Sequence, residues 1–188
     1  NFNRLFHNLS GEVLERVQSQ LGSDPHANQK LIRTAIRDYL KEQTTIDELS
    51  AQRLALMRLA ADADVVLDLH CDCESVLHLY TGTPLWDRVA PLAGLLDAQV
   101  ALLETNSGDD PFDEACSRIW WDIAALVGHE FPIPLACLAV TVELRGFTDV
   151  SHDNAERDAN ALVDFLRLQD IIAGPLSQTI RPACEPTP

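Results

Sequence analysis

Apolar residues recur along the chain with two alternating periods, and the switches between them outline the fold. LSGEVLERVQSQ, residues 9–20, predicts a helix that Ser10 could cap. In NQKLIRTAIRDYLK, residues 28–41, Leu31, Ile32, Ala35, Ile36, Tyr39 and Leu40 fall at helical spacing. Further helices are predicted over IDELSAQRLALMRLAADA (46–63) and FDEACSRIWWDIAALVGHE (112–130), the second started by Asp110 and Pro111. A last one covers about 153–170, with Ser151 or Asp153 as its cap. Between them lie strand-like runs at 65–71, 99–105 and 137–146, and a short run HLYTG. TGTPLWD, 81–87, reads as a turn-rich loop. Strands alternating with helices predict an α/β layered domain, with a mixed, mostly parallel β-sheet flanked by helices.

Two of these strands carry polar residues where an apolar face is expected. VVLDLHCD, 65–72, reads as a buried strand, yet Asp68, His70 and Asp72 share one face while Leu67, Leu69 and Cys71 share the other. In CLAVTVELRG, Thr141, Glu143 and Arg145 share a face opposite Val142 and Leu144. An ionised Glu on a central strand is costly unless paired, hydrogen-bonded or used chemically. Both strands have a bland alternative: an ion pair for Glu143, and a satisfied core imidazole for His70. Trp120 and Trp121 lie inside a helical pattern and read as packing residues. His7, His26, His129 and His152 have no spacing that pairs them as ligands.

Composition narrows the classes. Lys and Arg number 14 against 29 Asp and Glu, a formal charge of −15, which repels nucleic acid and anionic membranes. A small anion needs only a local Arg and is not excluded. No apolar run reaches about 18 residues, and no signal-peptide pattern is visible. Five cysteines form no regular framework, which fits a reducing, cytoplasmic setting. Cys71-x-Cys73 has no second pair at zinc spacing, and the cysteines read as free buried thiols. The chain opens on Asn1 without an initiator Met and closes on CEPTP, so both ends are expected to be cut from a longer protein.

NFNRLF, VVLDLHCDCESVLHLY and LAVTVELRGFTDV, in that order, resemble the succinylglutamate desuccinylase and aspartoacylase family within the zinc carboxypeptidase superfamily. The resemblance implies a zinc-carboxypeptidase-like fold over residues 1–175, with 176–188 as a linker toward a further, β-rich segment. It implies Zn²⁺ as cofactor and His70 as the last of three protein ligands. Glu143 would be the general base that takes a proton from a metal-activated water and passes it to the leaving amine. Asn3 and Arg4 would grip the substrate's carboxylate, guanidinium offering two parallel donors to two oxygens. Asp68 could orient a ligand or merely bond to backbone. Arg145 would touch substrate or pair with an acid such as Asp68 or Asp72. His78 and Tyr80 also fit the family pattern, near the site entrance.

One departure is large. The family's other two zinc ligands form a His-x-x-Glu pair, and none of the six histidines here has Glu at the third following position. That pair would lie before residue 1, with an Arg that polarises the scissile carbonyl. Residues 1–188 alone are therefore expected to bind zinc weakly and to be inactive. The activity implied for the whole protein is removal of a succinyl- or acetyl-type group from an N-acylated amino acid, a small-molecule partner. A metallocarboxypeptidase, or a binding module that kept the fold and lost the chemistry, are the alternatives. A homo-oligomer stays open.

Overall fold

Local chemistry starts most of the helices. In a computed structural model, which describes residues 3–187, the Asp24 side chain accepts from the His26 N–H at 2.9 Å. Pro25 takes the first helical position, where its missing N–H is no loss, and α2 runs Pro25–Glu42. α3 (Glu48–Ala60) opens with a capping box: the Asp47 carboxylate accepts from the Ser50 N–H at 2.7 Å, and the Ser50 hydroxyl accepts from the Asp47 N–H at 3.2 Å. α1 (Ser10–Val17) starts differently from expectation. Leu9 holds the cap position, and the Ser10 N–H donates to the Asn8 side chain at 3.0 Å. α5 spans Phe112–Val127.

The chain divides into two compact units. One comprises residues up to Val66 together with Thr105–Ala139. Its core gathers the stripes predicted by helical spacing: Val13 and Val17 from α1, Ile32 and Ile36 from α2, Ile119, Trp120 and Ile123 from α5. Each fully buried aliphatic side chain contributes roughly 1.5–3 kcal/mol. Asn28, 1% exposed, ties the α1–α2 turn by exchanging hydrogen bonds with the Gly22 backbone at 2.9 and 2.8 Å.

The other unit comprises Leu67–Glu104 and the chain from Val140 onward, with helices α4 (Trp86–Leu96) and α6 (His152–Leu168). α6 is capped by Ser151, whose hydroxyl accepts from the Asn154 N–H at 3.1 Å. The strands are β1 (Val65–Asp72), β2 (Leu77–Gly82), β3 (Val100–Glu104), β4 (Leu138–Gly146) and β5 (Pro186–Thr187), in the sheet order β1-β4-β2-β3-β5. β3 runs parallel to β2 and to β5, and β4 runs antiparallel to β2. At the ends of the β1–β4 pair, the Leu138 N–H donates to the Asp64 carbonyl and the Phe147 N–H to the Asp72 carbonyl, so these strands run the same way. The result is the expected α/β architecture, a mixed and mostly parallel sheet with flanking helices. Leu77, Leu79, Val140 and Val142 form its buried face here, with α4 packed on β2.

Three expectations are corrected. Of the residues read as a loop, Thr83–Leu85 form a 3-10 turn and Trp86 starts α4. β1 is an edge strand among the described residues, with a strand on one side, and it is not a buried one: Leu69 is 50% exposed. Cys71 and Cys73, at and beyond its end, are exposed, so only Cys116 and Cys137 are the buried thiols expected. Further along, the Ser177 N–H donates to Asp164 at 2.9 Å, Arg181 donates to Asp97 at 2.6 Å, and β5 closes the described chain.

Candidate functional site

Alternation along two strands decides which side chains meet. Val66 of β1 packs against the cluster that contains Cys137, just before β4, and Ala139 within it; Leu138, Val140 and Val142 are outside that cluster. Two and four residues on, Asp68 and His70 lie on the face of Val66, and Thr141 and Glu143 on the face of Ala139. His70 and Glu143 therefore share one face of adjacent strands. β2 adds to it, because its antiparallel register sets His78 opposite Glu143 and Tyr80 opposite Thr141. Directly opposed residues point to the same side, with Cβ atoms about 4.5–5.5 Å apart.

Hydrogen bonds fix how these groups can act. His70 Nε2 lies 2.8 Å from Asp68 Oδ2. A carboxylate accepts, so Nε2 carries the proton, and in the neutral ring the lone pair sits on Nδ1. His78 has the reverse arrangement: Nδ1 lies 2.8 Å from the Val76 carbonyl, which leaves the neutral ring's lone pair on Nε2. The Tyr80 ring stands against it in a T-shaped contact, centroids 5.3 Å apart. Glu143 Oε2 is buried with no hydrogen-bond partner among the described residues. An acceptor left in that state costs about 1–3 kcal/mol, more for a charge, which a purely structural residue would relieve by finding a donor.

His70 with Asp68 behind it fits one coordination position of a divalent metal. Among the described residues no group of three His, Cys, Asp or Glu side chains is arranged to hold an ion. Asp72 does not join the site: it is exposed, and its carboxylate accepts from the Cys73 N–H at 2.6 Å.

Arg145 leaves the strand pattern, with φ of 93°, in the left-handed region that non-glycine residues rarely adopt. Its guanidinium grips Asp158, not Asp68 or Asp72, through bonds of 2.7 and 2.9 Å. Those bonds raise its pKa against the opposing effect of burial.

Asn3 and Arg4 belong to the first unit. Asn3 Oδ1 accepts from the Phe112 N–H at the start of α5, at 3.3 Å. Arg4 donates to the Asn3 carbonyl at 2.7 Å and lies 3.8 Å from Asp109, its side chain 41% exposed. The two are thus neighbours in space, on the loop that precedes α1. The sequence gives His78 and Tyr80 no role of their own, although the alternation in HLY places both on one side; the register shows that the side is Glu143's.

No family model and no curated protein matches the chain. Solved structures do. A protein of Shewanella frigidimarina NCIMB 400, provisionally assigned as a succinylglutamate desuccinylase/aspartoacylase, superposes with a TM-score of 0.72 at 22% identity, over 98% of this chain and 49% of its own. A second, from Shewanella amazonensis SB2B and provisionally assigned to the same family, gives 0.71 at 23% identity, over 98% and 50%. The chain has their fold and spans about half their length.

Proposed function

We propose that the chain is part of a zinc-dependent amidohydrolase of the succinylglutamate desuccinylase/aspartoacylase type, which releases an acyl group from an N-acylated amino acid. The observation that carries this reading is the buried, unpartnered Oε2 of Glu143 on the face of the sheet that also bears His70 and Asp68. A general base needs a carboxylate oxygen that is not already engaged by a donor of the protein. The fold shared with two structures assigned to that family supports it.

His70 would hold Zn²⁺, with Asp68 fixing its tautomer and raising its basicity. When bound, the ion supplies Lewis-acid polarisation and an acidified water. Glu143 takes the proton from the attacking water and passes it to the amide nitrogen, so the C–N bond breaks to a carboxylate and a free amine. Asn3 and Arg4 would bind the carboxylate of the substrate. The remaining metal ligands would come from sequence outside these residues.

The test is hydrolysis of N-succinyl and N-acetyl amino acids by the full-length parent, with and without chelator. Chelator-sensitive release of the amine, lost in Glu143→Gln, supports the reading. Release that survives chelation, or full activity in Glu143→Gln, rejects it.

A further inference from the structure

The strand β2 brings an imidazole to the site that the mechanism above leaves unused. His78 stands opposite Glu143 across the β2–β4 pair, so the two side chains rise from the same face at neighbouring positions. Its orientation is set from two sides. Nδ1–H donates to the Val76 carbonyl at 2.8 Å, and the Tyr80 ring meets it at 70° with centroids 5.3 Å apart. With Nδ1 engaged, the ring has one remaining polar atom, Nε2, and in the neutral tautomer that atom can only accept.

An acceptor beside a proton-delivering carboxylate has a specific use in amide cleavage. The nitrogen of a secondary amide carries one hydrogen. To be protonated by Glu143 it must direct its developing lone pair at that carboxyl group and its N–H elsewhere. A fixed acceptor next to Glu143 holds the N–H and so sets the orientation of the lone pair. We propose that His78 is a substrate-binding residue that accepts the scissile N–H of a secondary amide through Nε2, and thereby makes the site selective for N-monosubstituted amides. This rests on the amidohydrolase reading. His78 forms no covalent bond and gains no proton; the hydrogen bond ends when the amine departs.

The experiment uses the full-length parent with a matched pair of substrates, an N-succinyl amino acid and the corresponding O-succinyl hydroxy acid, an ester with no N–H. His78→Leu should lower kcat/KM for the amide about ten- to hundredfold, the size of one lost hydrogen bond to a reacting group, and leave the ester within about twofold. His78→Gln, whose side-chain oxygen also accepts, should recover most of the amide activity. Equal losses on amide and ester, or no loss on either, overturn the proposal.

A second readout does not depend on turnover. In ¹⁵N-histidine-labelled Glu143→Gln parent, the His78 Nε2 resonance should report an unprotonated nitrogen that shifts when the N-succinyl amino acid is added but not when the ester is. A resonance that stays fixed with the amide, or that shows Nε2 protonated at rest, overturns the assignment. Should the parent cleave neither substrate while Nε2 still responds to the amide alone, the hydrolase reading fails and the contact stands.

Discussion

His70 Nε2 lies 2.8 Å from Asp68 Oδ2, two residues back on the same strand, so one side chain dictates the tautomer of the other. If His70 is a metal ligand, Asp68 acts on the metal through it. Asp68→Ala in the full-length parent should weaken zinc binding by about tenfold to a hundredfold, with Asp68→Asn intermediate, as read by competition with a chromophoric chelator. Undiminished affinity in Asp68→Ala would reduce the pair to a structural contact.

The lone Oε2 of Glu143 predicts a separation of stability from activity. An amide of the same shape costs no hydrogen bond at an oxygen that accepts none from the described residues, so Glu143→Gln should leave the melting temperature unchanged or raise it, by no more than about 1 kcal/mol of stability. The same change should lower kcat of the parent by about 10²–10⁴, the range for a lost general base. A variant that is both less stable and less active would instead mark Glu143 as a structural residue.

How far the sequence could be read depended on the range of the forces involved. Helices α1, α2, α3, α5 and α6 and strands β1, β3 and β4 were legible because their periodicity or their β-branched residues are written locally. α4 was not, since Pro91 and Gly94 interrupt it. Gly94 answers to a distant neighbour: a Cβ there would stand 2.1 Å from the Arg181 carbonyl oxygen, a contact no local pattern announces. β5 is two residues long and includes a proline, so it carries no alternation to detect. For the candidate site, alternation alone grouped Asp68 with His70 and Thr141 with Glu143. Which face His78 would join, and that Arg145 would turn to Asp158 on α6, depended on strand register and on a positive φ.

The Arg145–Asp158 pair separates a structural arginine from a substrate-binding one. Both side chains are mostly buried, and the contact is bidentate. Removing either partner strands the other, so Arg145→Ala and Asp158→Ala should each destabilise the protein by about 3–5 kcal/mol, and the double variant by much less than their sum. Arg145→Lys should rescue little, because an ammonium cannot span both oxygens. Denaturant titration of the four proteins measures the coupling. A pair that proves additive, together with a raised KM in Arg145→Lys, would move Arg145 into the substrate site.

Asp164 gives the last prediction a sign. Its carboxylate is fully buried and accepts from the Ser177 N–H and hydroxyl, the Gln178 N–H and Arg167, at 2.7 to 3.2 Å. Burial alone would raise its pKa, but the bonds from Ser177, Arg167 and Gln178 outweigh it and hold the carboxyl below its ordinary value of 3.8. A folded pKa below the unfolded one contributes stability that is present above the unfolded value and is lost as the pH falls through the folded one. The chain around residues 177–178 should therefore be equally protected between about pH 7 and pH 5, and should loosen only below 3.8. Hydrogen exchange at the Ser177 and Gln178 amides reads this directly, after correction for the intrinsic rate at each pH. Asp164→Asn keeps the shape but not the charge; it should cost roughly 1–3 kcal/mol at neutral pH and abolish the acid step. An acid step that persists in Asp164→Asn would assign the loosening to other carboxylates.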